Sequence, residues 1–320
     1  MTKVKTGTIV KNKPGIFKRV INDVVKYRVL IAFLLPGLII LFINNYMPMF
    51  GLGMAFKSMD NSLGFFKSPW VGFENFKFLF QSDDVRIVTR NTLIYSLTFI
   101  VLSVVLNVGL AICVTELKSR RCAKLYQTIL VLPYFFSFVM IACIANAFLS
   151  TSNGYLNNVL QKFGISRIDW YSEPKYWPVI MVIVYFWRQC GYGAIIYIAT
   201  ITGFDQQIYE AAVVDGANRL QKIFYITIPM LKQTMVVLTI LALGNIFRGN
   251  FDMFYQVPMN SPLLYPTTDV IDTYVYRSLT SMPDIGMTTA AGMFQSVVGC
   301  VMVVAVNLIV RRIDKDSALF

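Results

Sequence analysis

The chain has 320 residues, 56% of them hydrophobic and 14% charged, with a net charge of +12. A soluble domain of this length cannot hide so much apolar surface, and the composition is that of a membrane protein. There is no histidine, and the five cysteines at 113, 122, 143, 190 and 300 form no C-x-x-C pair, so the sequence offers neither the commonest general base nor a metal-ligand or disulfide framework.

Residues 1–28 are polar and carry Lys3, Lys5, Lys11, Lys13, Lys18, Arg19, Lys26 and Arg28, which reads as a basic cytoplasmic arm. Six later stretches reach the roughly 20 apolar residues that a hydrocarbon core demands: 29–47, 92–114, 125–148, 176–200, 233–251 and 287–310. None alternates with period two, so helices are expected and barrel strands are not. A secretory signal is the alternative for the first stretch. Its long basic lead-in, the interruption at Pro36-Gly37 and the lack of a small-x-small cleavage site favour an uncleaved helix.

Between the first two stretches lies the aromatic run 70–80, which fits an interfacial helix or an aromatic belt. Basic residues then recur at Lys118, Arg120, Arg121 and Lys124, at Arg219, Lys222 and Lys232, and at Arg311, Arg312 and Lys315. With the arm they make 18 of the 29 basic residues, all on one side of a six-helix topology. The positive-inside rule places that side, and both termini, in the cytoplasm. The charge is thereby explained by helix orientation and anionic lipid, and needs no nucleic-acid partner. The divisions expected are the arm at 1–28, the first helix and external aromatic segment at 29–90, a five-helix core at 91–310 with a cytoplasmic loop at about 201–232, and a tail at 311–320.

That loop is the most informative segment. Asp205 can cap a helix starting at Gln206, Gly216 is a left-handed terminator, and Asn218 can cap a second short helix bounded by Pro229. Ala211 and Ala212 lack bulk, so another surface can approach the backbone, and Glu210 offers a carboxylate to a partner. The residues alone favour an ordinary amphipathic loop helix, solvated on one face and resting on lipid.

The spacing Glu210-Ala211-Ala212, three residues, Gly216, nine residues, Ile226-Thr227-Ile228-Pro229 resembles the EAA loop of permease subunits of ATP-binding-cassette (ABC) importers, with Asp215 and Ala217 also in place and Ile228 where the family usually has Leu. Asn91-Thr92-Leu93, Leu132-Pro133 and Val71-Gly72-Phe73-Glu74-Asn75-Phe76 extend the likeness over roughly 70–310, toward the sugar-importing members, the maltose type among them. The resemblance implies an all-α integral membrane protein with the type I importer permease fold. It implies a second homologous permease, two copies of a cytoplasmic ATPase, an extracellular solute-binding protein, and a coupling surface of Glu210, Ala211, Ala212, Asp215, Gly216, Ala217 and Arg219. ATP and Mg would sit on the ATPase, since no G-x-x-x-x-G-K-(S/T) occurs in this chain and no catalytic residue is expected on it.

Polar residues inside the fourth and fifth stretches mark a path. An arginine at mid-membrane costs about 2.5–3.5 kcal/mol on insertion scales and is expected to face protein or water. Arg188, beside Trp187, is the foremost candidate, with Arg248 next. Position relative to Glu210 in the resembling family adds Tyr185, Gln189 and Tyr192 before the loop and Asn245 and Asn250 after it. Aromatic faces beside amides and guanidinium suit a saccharide, and the arginines suit an acidic one. The alternative for Arg188 and Arg248 is an ion pair with a carboxylate such as Asp252. Other functions left open are a permease for a non-sugar solute, a self-contained ion-coupled carrier, for which acidic intramembrane residues are wanting, and a membrane-embedded enzyme, for which a carboxylate pair or metal cluster is wanting.

Overall fold

A computed structural model describes residues 25–59, 64–81, 83–281 and 285–313. Nearly all of the basic arm and most of the tail lie outside them. The described residues are helices and loops with one isolated antiparallel bridge between Lys57 and Trp70, and they divide into two compact units at Gly53 and Met54.

The first unit holds α1, Arg28–Leu41, which runs on through a π-helical turn at Phe42–Tyr46 into a 3₁₀ stretch, Met47–Phe56, whose last three residues belong to the second unit. Pro36 was expected to interrupt this segment, but it sits inside α1 and the helix passes through it. In lipid no water competes for backbone groups, so the surrounding turns keep their bonds. Asn44 and Asn45 return their amides to Ile40 O and Leu41 O at 3.0 and 3.2 Å, so these polar side chains are satisfied within the helix itself.

The second unit contains α2 (Glu74–Gln81), α3 (Asp83–Thr115), α4 (Arg120–Val131), α5 (Phe138–Leu149), α6 (Tyr155–Lys162), α7 (Trp177–Thr202), α8 (Gln206–Val214), α9 (Arg219–Leu243), α10 (Phe251–Gln256), α11 (Ile271–Ser281) and α12 (Ile285–Ile313). The pair α3 and α7 forms its spine. Two apolar clusters lie along that pair: Tyr95, Phe99, Phe138, Trp177, Met181 and Phe254 toward one end, and Val108, Ala111, Ala194, Tyr197 and Leu231 toward the basic end.

Small residues set the closest crossings, as is usual where lipid supplies no hydrophobic drive between helices. A Cβ on Gly191 of α7 would meet Leu130 O at 1.8 Å, and one on Gly299 of α12 would meet Gly244 O at 2.4 Å. The aromatic run before α3 is packed on itself, with Trp70 stacked on Phe56 at 5.5 Å between centroids. Asn75 is buried beside it and donates to Ala55 O and Lys57 O at 3.0 and 2.9 Å, pinning this segment to the backbone that follows α1.

Three boundaries differ from those read from hydropathy. The third apolar stretch is not a straight rod: α4 with its 3₁₀ extension, Leu132–Phe135, meets α5 at 97°. Pro133 lacks an N–H, Phe136 is extended at φ −74° and ψ 133°, and Ser137 starts α5 by accepting from Met140 N at 3.3 Å. Five described helices are thus long enough to cross a membrane, and a sixth crossing needs the bent pair. The fifth span ends at Leu243, so Asn245, Arg248 and Asn250 lie beyond it. Its other end starts early, because the short helix capped by Asn218 is not bounded by Pro229 but continues into α9 through a π-helical turn at Ile223–Thr227. The wider turn places Pro229 in the first turn of the helix that follows, where its missing donor costs least.

Candidate transport site and coupling loop

Between the two apolar clusters the bundle forms a partly open cavity of about 690 Å³, walled by α3, α7, α9 and the segment after α9. On α3 the wall is formed by Ser96, Ile100, Ser103 and Asn107, whose spacings of 4, 3 and 4 put them on one helical face. On α7 it is formed by Tyr185, Gln189, Tyr192, Gly193 and Tyr197. Tyr185 lies flat on Phe99, with centroids 3.8 Å apart and planes 4° apart, and Tyr192 lies flat on Tyr134 at 4.0 Å and 5°. Asn245, Arg248, Asn250 and Asp252 complete the wall.

The segment after α9 is irregular but anchored. Gly249 N donates to Asp272, Gln295 Nε2 donates to Phe247 O at 2.9 Å, and Asn250 Oδ1 caps α10 by accepting from Met253 N at 3.2 Å. Burial raises the Asp272 carboxyl above its ordinary range, against the Gly249 and Gln295 hydrogen bonds and the charge of Arg248, which pull it down. Arg248 itself reaches Ser296 Oγ at 3.5 Å and is exposed to the cavity.

Six of the eight candidate path residues therefore meet at one cavity: Tyr185, Gln189, Tyr192, Asn245, Arg248 and Asn250. Trp187 and Arg188 are not on its wall. Arg188 Nε donates to Phe136 O at 3.2 Å, and its guanidinium lies 4.2 Å from the Phe138 ring and 5.0 Å from that of Tyr134. It binds the carbonyl freed at the 97° bend, and the pairing considered with Asp252 is not made. Sequence reasoning passed over Ser96, Ser103, Asn107 and Thr239, which also line the cavity. The signal was present in the helical period of 96, 103 and 107 within an apolar run.

At the basic end, α8 is capped by Asp205, whose carboxylate accepts from Gln207 N at 3.0 Å. It ends in a Schellman turn: Gly216 has φ +82°, Ala217 N donates to Ala212 O at 2.9 Å and Gly216 N to Val213 O at 3.1 Å. Asn218 and Gln221 then close a capping box at 2.7 and 2.9 Å. Tyr209 and Thr227 share a hydroxyl hydrogen bond of 3.0 Å, which ties α8 to α9. Glu210, Ala211, Asp215, Gly216 and Arg219 are exposed, while Ala212 and Ala217 are half-buried beneath them. Val213, Val214, Leu220 and Tyr225 are also exposed, Val214 at 87%, so the loop presents an apolar surface with a carboxylate at its side.

A family profile described as binding-protein-dependent transport system inner membrane component matches residues 110–315. The chain belongs to this family. The permease is 31% identical over 284 residues to Protein LplB of Bacillus subtilis (strain 168), covering 89% of each chain. It is 29% identical over 300 residues to the polygalacturonan/rhamnogalacturonan transport system permease protein YteP of the same organism, covering 94% of this chain and 93% of that one. Among solved structures, the permease resembles a chain of a bacterial ABC transporter involved in the import of the acidic polysaccharide alginate, with 36% identity, a TM-score of 0.83, and coverage of 92% of this chain and 99% of that one. It likewise resembles a chain of a bacterial alginate ABC transporter in complex with an alginate pentasaccharide-bound periplasmic protein, at 35% identity and a TM-score of 0.84, covering 93% and 99%. The permease is thus a multi-pass inner-membrane protein of the importer type, and the loop 205–229 lies within the matched residues.

Proposed function

We propose that the permease carries an oligosaccharide bearing carboxylate groups across the membrane, received from an external binding protein and driven by ATP hydrolysed on a separate cytoplasmic ATPase. The observation that carries this reading is the cavity. It is large enough for a few sugar rings, two of its tyrosines are held flat by stacking, and amides, hydroxyls and Arg248 line the same cavity. Stacked rings suit the C–H faces of a sugar, paired polar groups suit its hydroxyls, and a guanidinium suits a carboxylate. The solved relative that imports an acidic polysaccharide, and the relative named for polygalacturonan, support the acidic class.

The exposed loop is read as the ATPase dock. Its apolar surface of Val213, Val214 and Leu220 would fill a cleft on the ATPase, with Glu210 and Arg219 as polar contacts at the rim. A second homologous permease, most simply a different chain, and a second copy of the ATPase would complete the assembly.

Two measurements test this. In proteoliposomes containing the full transporter, labelled alginate pentasaccharide or oligogalacturonate should be taken up and maltopentaose should not; uptake of the neutral sugar alone would remove the acidic reading, and uptake of none of the three would remove the saccharide reading. Co-purification with the ATPase should weaken at least tenfold in Glu210→Lys, and an unchanged yield would move the dock elsewhere.

A further inference from the structure

Among the described residues two buried side-chain oxygens lack a hydrogen-bond partner, Tyr171 Oη and Asn107 Oδ1. Tyr171 belongs to the loop before α7. Asn107 stands well inside α3, on the cavity wall, with 9% of its surface exposed. Buried polar groups are almost always paired, so a solitary one calls for an explanation.

Its surroundings supply one. The amide lies against Gly193 of α7, where a Cβ would come within 2.3 Å of Nδ2 and 2.8 Å of Cγ. A glycine at this point leaves the amide the room it occupies. Asn107 is also the last member of the stripe Ser96, Ser103, Asn107; one residue further on, Val108 joins Ala111, Ala194, Tyr197 and Leu231 in the apolar cluster on the basic side of the cavity. The amide therefore stands at the cavity floor. A half-turn about χ2 exchanges Oδ1 and Nδ2, so it can offer either an acceptor or a donor, and a sugar hydroxyl answers to both.

We infer that Asn107 is a saccharide-contacting residue at the inner end of the path, binding a hydroxyl of the sugar as it passes from the stacked tyrosines toward the floor. This rests on the saccharide reading of the cavity. A residue that merely packed α3 on α7 would have no use for a hydrogen-bonding head.

The test uses the full transporter in proteoliposomes. Asn107→Ala and Asn107→Leu should lower the number of alginate pentasaccharide molecules delivered per ATP hydrolysed at least fivefold; a packing role would lower transport and hydrolysis together and keep their ratio. In a chain with its five cysteines replaced by alanine, Asn107→Cys should react with a methanethiosulfonate ethylammonium reagent, and pentasaccharide presented on its binding protein should slow that reaction at least threefold. A wild-type ratio in both variants, or a thiol that is unreactive or equally reactive with and without sugar, overturns the inference. If the unmodified transporter carries no saccharide of the panel, the broader reading has failed and this inference falls with it, an outcome recognisable because it needs no variant.

Discussion

The two ends of the bundle are held by bonds of different reach. In the loop at the basic end, Asp205 accepts from Gln207 N, Ala217 N donates to Ala212 O, Asn218 and Gln221 cap each other, and Tyr209 and Thr227 are linked across 18 residues. At the opposite end, Asn91 donates to Pro266 O and Asp269 O at 3.2 and 3.0 Å, Tyr95 donates to Thr267 O at 2.8 Å, and Ile271 N donates to Thr92 Oγ1 at 3.0 Å, across 172–179 residues of chain. The buried Asp269 carboxylate adds an ion pair with Arg277 and accepts from Thr273 Oγ1 at 2.7 Å, while the guanidinium lies 4.0 Å from the Tyr265 ring. The contrast teaches how each is held: the far end ties α3, residues 265–270 and α11 into one block through bonds distant in sequence, and the loop 205–229 is shaped by bonds close in sequence.

If this contrast holds, the largest loss should come from the braced end. The Asp269 side chain is 6% exposed and that of Arg277 26%, so Arg277→Met leaves a nearly buried carboxylate without its cation. The expected cost is about 3 kcal/mol, the low end for breaking a buried pair because Arg277 keeps some contact with water. It should appear as a lowered unfolding midpoint in detergent, and a midpoint within error of wild type would show that the far end is not braced by this pair.

The next effect belongs to the loop. Gly216→Val forces a β-branched residue to φ +82° at a cost of about 1–2 kcal/mol, whereas Gly216→Asn, whose side chain tolerates the left-handed region, should be milder. Because the turn at Gly216 is held by bonds local to the loop, Gly216→Val should reduce ATPase binding more than it lowers the global midpoint. Equal losses in the two measurements would merge the two ends into one cooperative block.

Asn218→Ala should then cost about 1 kcal/mol, the usual value of an N-cap, read as faster amide exchange near residues 219–222 with the far end unaffected. The smallest effect expected is a pH dependence. Asp272 has its pKa raised in the fold, so its neutral form is favoured there; the stability this contributes is present at acid pH and is lost as pH rises through the shifted value. Asp272→Asn should flatten the pH dependence of stability just above the ordinary carboxylate range while keeping an acceptor for Gly249 N, and an unchanged profile would place the titration elsewhere.

The same contrast explains what was legible in the sequence. Caps, the Schellman glycine and the motif around Glu210 are encoded within a few residues of where they act, and the loop was readable almost atom by atom. Asn91 and Thr92 were visible as part of a resemblance, but their partners lie more than 170 residues away and no local signal names them. Arg188 was expected to lead the path or pair with a carboxylate; that it is off the cavity wall and bonds a carbonyl exposed by the bend at Phe136 follows from the extended geometry there, which hydropathy averages away. Asn107 was overlooked because a single amide in an apolar run leaves the mean of the run unchanged.

One consequence of the unbroken helix from Arg219 to Leu243 is mechanical. Twenty-five residues make a rod of about 37 Å, one end of which lies in the exposed loop while the other carries Leu238, Thr239 and Ala242 on the cavity wall. The turn at Gly216 and the Tyr209–Thr227 bond join α8 to this rod at two points, forming a rigid triangle. If α8 docks the ATPase as proposed, a push on it would reach the cavity wall through α9, and the wider turn at Ile223–Thr227 would be the place where that lever could yield.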